Sequence, residues 1–86
     1  MEHPVADETF GAFLRRLREA KGLSQLALAK ELGIAQPTIS AWEADVARPT
    51  VPGVLELAKA LDADLDGLVR LAAQVKPVDN RAARTG

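Results

Sequence analysis

Apolar residues in this chain recur at helical spacing and do not alternate along any stretch in the manner of a strand. Phe10, Phe13, Leu14 and Leu17 form one stripe and predict an amphipathic helix over residues 8–21. Arg15, Arg16 and Glu19 fall off that stripe. Asp7 is the expected N-cap, with Glu8 near the positive end of the helix dipole. Gly22 is the expected stop, with Leu23 packing back. Ser24 caps a second helix whose inner face is Leu28, Ala29 and Leu32. Gly33 can take the left-handed conformation that ends it, and Ile34 reads as buried. A third helix starts near Gln36 and turns Ile39 and Trp42 inward. Its cap position holds Ala35, a loss of ~1 kcal/mol relative to a polar cap, partly offset by Pro37 in the first turn.

After Glu43 the helical pattern stops, and residues 44–49 read as a loop. Thr50 caps a fourth helix with Pro52 in its first turn and Val51, Val54, Leu57, Ala58 and Leu61 facing inward. Asp62 and Ala63 make a break. Asp64 then caps a fifth helix bearing Leu65, Leu68, Val69 and Ala72, with Leu71 and Val75 widening its apolar surface. That surplus fits either a dimer seam through Leu65, Leu68, Val69, Leu71 and Ala72 or a short helix closing its own core. The fold class is therefore all-α, as one domain over residues 7–75 between a flexible arm (1–6) and a flexible C-terminal tail (76–86) of net charge +2. The tail is either a weak phosphate-sampling segment or simply solvated.

Composition removes several alternatives. The 86 residues contain no cysteine and one histidine, His3, which excludes disulfides and argues against a structural zinc site. His3 reads as a solvated terminal residue. No run approaches the roughly 18 apolar residues of a membrane span, and the start of the chain lacks the pattern of a secretory signal. A cytoplasmic location is expected. No nucleophile–base pair, metal-ligand cluster or glycine-rich phosphate loop is present, so neither catalysis nor a cofactor is expected. Asp62, Asp64 and Asp66 lack the glycine and the distal glutamate of a calcium loop.

Net charge is −1, from 11 basic and 12 acidic residues, which argues against a general nucleic-acid coat. Its distribution changes the picture. Residues 8–48 carry six bases (Arg15, Arg16, Arg18, Lys21, Lys30 and Arg48) against five acids, whereas residues 49–75 hold two bases against Glu56, Asp62, Asp64 and Asp66. The outer face of the third helix carries Gln36, Thr38 and Ser40 with small Ala41 beside them. Short hydrogen-bonding side chains on a helix propped against another suit base edges in a DNA groove. Gln25, in the first turn of the second helix, is placed either to meet a phosphate or to remain solvated.

Residues 14–25, then Leu28-Ala29, Leu32-Gly33-Ile34, Gln36, Thr38-Ile39-Ser40, Trp42-Glu43, Arg48-Pro49-Thr50 and residues 57–61, together resemble the helix-turn-helix domain of the Xre/Cro type. The resemblance implies a lambda-repressor-like five-helix bundle with helices 2 and 3 as the DNA-reading pair and residues 36–44 as the recognition helix. It implies base contacts from Gln36, Thr38, Ser40 and Ala41, and phosphate contacts from Ser24, Gln25 and Arg48. It also implies a structural salt bridge between Arg18 and Glu43. Ala44 and Asp45 depart from the family pattern, and Asp45 is expected to sit unfavourably near phosphate.

Two functions follow as expectations. One is a sequence-specific regulator of double-stranded DNA, of repressor type, acting as a homodimer. The other is an antitoxin-like or adaptor module that keeps the fold and engages a protein partner, a toxin or another regulator, with little DNA binding.

Overall fold

The computed structural model describes residues 3–74, which form five helices: α1 (Phe10–Ala20), α2 (Gln25–Leu32), α3 (Gln36–Glu43), α4 (Val51–Leu61) and α5 (Leu65–Gln74). There is no strand among the described residues. The tail over 76–86, together with Val75, lies outside them. The all-α class and the order of elements agree with the hydrophobic pattern.

The stripe of α1 is the centre of the core. Phe10, Phe13, Leu14 and Leu17 are buried, and Leu28, Ala29, Ile39, Leu57, Leu61 and Leu68 close around them. α1 packs on α3 and α5, α2 on α3 and α4, and α4 on α5. Each helix thus buries one apolar face against at least one other, which is the main source of stability for helices this short.

The start of α1 differs from expectation. Thr9 is the N-cap, its Oγ1 accepting from the Ala12 N–H at 3.1 Å, while Asp7 lies in a preceding turn at φ 66°. The reason is Glu8. Its carboxylate is almost fully enclosed and is held by Arg16 at 3.0 and 2.8 Å and by the Val5 N–H at 3.0 Å. A helix begun two residues earlier would pull it away. The Arg16 hydrogen bond is the main cause holding the Glu8 carboxyl below its ordinary value. Arg16 also lies 5.2 Å from the Phe13 ring centroid and donates to the His3 carbonyl at 2.6 Å. His3 is exposed, as expected of a solvated residue, yet its Nδ1 is 3.0 Å from the Asp64 carboxylate. That bond, with backbone N–H groups of Gly67 and Asp66, lowers the Asp64 carboxyl and fits its role as the cap of α5.

Four helices end in the same way. A residue with positive φ (Gly22, Gly33, Asp45 or Asp62) turns the chain, and the next N–H reaches back five residues. These bonds run Leu23 to Arg18, Ile34 to Ala29, Val46 to Ala41 and Ala63 to Ala58, at 3.0–3.1 Å. Two stops use glycine; two use aspartate, one of the few residues that tolerate this conformation.

Three apolar positions depart from the pattern. Ile34 is 36% exposed, because the left-handed Gly33 swings the chain outward. Val51 is 71% exposed, because it begins α4 beyond the edge of the core that Val54 and then Leu57 enter over the next two turns. Leu68 is fully buried and closes the core of its own chain, so it does not belong to a dimer seam.

Candidate nucleic-acid interface

Two helix starts frame the candidate surface, and they are built differently. The Ser24 hydroxyl caps α2, accepting from Ala27 N–H at 2.9 Å. α3 begins on Ala35, whose side chain caps nothing, and Pro37 removes one N–H that would need a partner. Burial under α3 is limited to Ile39, which is fully enclosed, and to Trp42, which packs half-buried against the core.

What orients α3 is a chain of polar contacts. Gln36 Nε2 donates to Gln25 Oε1 at 2.6 Å, and Gln25 Nε2 donates to Glu43 Oε1 at 3.0 Å. Glu43 accepts from Arg18 twice, Nε to Oε2 at 2.6 Å and Nη2 to Oε1 at 3.0 Å. Arg18 Nη1 completes the chain on the Leu23 carbonyl at 2.8 Å. The first residue of α3, the first residue of α2, the last residue of α3 and the end of α1 are thereby tied in sequence. The ion pair is well enclosed, its side chains 10% and 5% exposed, and the Glu43 contact raises the Arg18 guanidinium further above its ordinary value. Two-point pairing of this kind fixes angle as well as distance.

Gln25 and Gln36 each spend part of their amide on this chain. An amide offers two donors and one oxygen with two lone pairs. Gln36 therefore keeps its oxygen and one N–H for an outside partner, and its side chain is held in place to use them. Around it Pro37 and Ser40 are exposed, while Thr38 and Ala41 are half-buried. Among the residues of α3 there is no lysine or arginine. Arg48 is exposed in the following loop, with Nη1 at a long 3.5 Å from the Ala72 carbonyl at the end of α5.

The far end of α3 is fastened by contacts that the hydrophobic pattern does not reveal. Asp45 Oδ1 accepts from the Gly11 N–H at 2.9 Å. A β-carbon on Gly11 would stand 2.4 Å from the Glu43 carbonyl oxygen, so α1 and α3 meet there backbone on backbone. The only sequence signal was the glycine itself, which is costly inside an amphipathic helix unless a close approach requires it.

The remaining positions divide. Leu65 and Val69 are 39% and 44% exposed, whereas Leu71 and Ala72 lean half-buried on the core. Val69 and Ala72 line an apolar cleft of about 300 Å³ with Pro49, Val51 and Val54. No group of three or more potential metal ligands occurs among the described residues. No described helix is long and apolar enough to cross a membrane.

Comparison with known proteins agrees with this arrangement. A family model described as helix-turn-helix matches residues 14–68. The HTH-type transcriptional regulator PrpR of Mycobacterium tuberculosis (strain ATCC 25618 / H37Rv) is 44% identical over 63 residues, covering 69% of this chain but only 13% of that regulator. The P22 c2 repressor protein, solved in complex with synthetic operator 9T, superposes with a TM-score of 0.69 at 31% identity, over 74% of this chain and 97% of that one. The chain belongs to the helix-turn-helix family of the Xre and lambda-repressor type.

Proposed function

We propose that this chain is a sequence-specific repressor that works as a homodimer with α3 in the major groove. The observation that carries this reading is the Gln36–Gln25–Glu43–Arg18 chain, which holds a polar side chain at the start of an outward-facing helix. In this reading Gln36 pairs with a base, and adenine suits it, at ~1–3 kcal/mol of discrimination. Thr38, Ser40 and Ala41 face the groove, and Ser24, Gln25 and Arg48 lie along phosphates. Leu65 and Val69, beside the cleft that Val51 borders, form the seam with a second copy, which sets half-sites roughly 34 Å apart. The setting is the bacterial or phage cytoplasm.

Selection of bound duplexes from a random pool tests this directly. Gln36→Ala is expected to change the selected sequence, and Gln25→Ala to weaken all duplexes alike. Identical effects of the two on selected and random DNA would refute the assignment of roles. Sedimentation with and without the duplex tests the dimer, and a monomer in both states at micromolar concentration would remove it.

A second reading has two observations in its favour. α3 carries no base, and the overall charge is −1. An antitoxin-like module engaging a protein partner fits such a surface. Binding that falls steeply with salt supports the first reading, and no duplex binding at ~50 mM salt supports the second.

A further inference from the structure

We propose that Asp45 sets how strongly this domain holds the DNA backbone: its carboxylate is a brake on charge-driven binding, kept in place by α1. The proposal rests on the DNA-binding reading above.

Asp45 occupies the left-handed position that ends α3, at φ 60°. A negative charge there faces the negative end of α3 and should be disfavoured. The fold compensates at α1. Thr9 serves the Ala12 N–H, α1 has no acidic residue in its first turn, and the Gly11 N–H is met by Asp45 from 34 residues away. The carboxylate therefore sits at the positive end of one helix and the negative end of another. That corner does not require the charge. An asparagine tolerates the same backbone conformation and offers the same oxygen to Gly11.

Location makes the charge matter. Asp45 is exposed and lies three residues before Arg48, which the DNA-binding reading sets along phosphates, so its charge stands on the same stretch of the surface. Screening acts over ~10 Å at 0.1 M salt, so direct contact is not needed for repulsion. Little opposes it. α3 has no base, and the loop after it offers a single one, Arg48, three residues on.

The experiment compares wild type and Asp45→Asn on a selected and a random duplex across a salt series. Asp45→Asn is expected to bind both roughly 3- to 10-fold tighter at ~50 mM salt, with the gain fading by ~300 mM and the selected-to-random ratio unchanged. Its melting temperature is expected within ~2 °C of wild type, because one neutral oxygen replaces a charged one on the same N–H. Equal affinity at low salt, or a gain that persists undiminished at high salt, overturns the proposal. If Asp45→Asn folds poorly, Asp45→Gly serves at lower temperature, since glycine accepts φ 60° and removes the charge; the same two outcomes decide. A wild-type chain that binds no duplex overturns the DNA-binding reading as well. Wild-type binding with an unaltered Asp45→Asn variant overturns only this one.

Discussion

α3 and α5 are of similar length and are held by opposite means. α5 is seated by burial. Leu68 is wholly enclosed, Leu71 and Ala72 lean on the core, and its own ion pair, Arg70 with Asp66, is exposed. α3 buries one side chain completely and is otherwise fastened by directional contacts: Gln36 at its start, Glu43 at its end, and a backbone approach to Gly11. Hydrophobic burial is non-directional and sets depth, whereas hydrogen bonds lose strength quickly with angle and set orientation. A helix that must present chosen side chains to an outside partner gains from the second kind of support. A helix that closes a core needs only the first.

The contrast can be broken from the α5 side first. Leu68→Ala is expected to cost roughly 3–5 kcal/mol in urea unfolding, since a fully buried leucine leaves a cavity. The emission of Trp42, the sole tryptophan, should be unchanged in the folded fraction. Glu43→Ala is expected to cost about 3 kcal/mol, because it leaves Arg18 enclosed without its partner. Here Trp42 emission should shift in the folded protein, as α3 loses its anchor. An unshifted Trp42 in Glu43→Ala would mean that burial alone orients α3. Ala35→Ser supplies the missing cap and is expected to add ~1 kcal/mol, seen as a melting temperature higher by about 4–8 °C. The smallest effect concerns Glu8, which has no part in the polar chain that orients α3. Its folded-state carboxyl lies below the ordinary 4.5, so the Arg16 contact stabilises fully above that value and is lost as pH falls through the lower folded one. Glu8→Gln should therefore flatten the acid limb of the stability curve by less than about 1 kcal/mol, as part of the pair is open to water. An acid limb identical to wild type would remove the claim.

Local chemistry explains which parts could be read in advance. The helices, the glycine stops and the Ser24 and Thr50 caps depend on neighbours within a few residues, and so are written in the spacing. Asp7 and Thr9 are both good caps, and the choice between them was settled by Glu8 meeting Arg16 on the next turns of α1. Ile34 and Val51 look like core residues because composition does not show where a core ends. The Arg18–Glu43 pair came into view through the family resemblance, not through spacing, since 25 residues separate them. Asp45 and Gly11 lie further apart still. The same aspartate that reads as a charge misplaced near phosphate turns out to complete the start of α1.

The division of labour within α3 has a practical outcome. Ile39, Trp42 and Glu43 hold the helix, while Pro37, Thr38, Ser40 and Ala41 have no part in the polar chain that orients it. Apart from Gln36, which does both, holding and outward positions are interleaved along the helix without sharing a side chain. A library randomised at 37, 38, 40 and 41 would therefore vary the exposed chemistry on a constant frame, making the domain a chassis for retargeting.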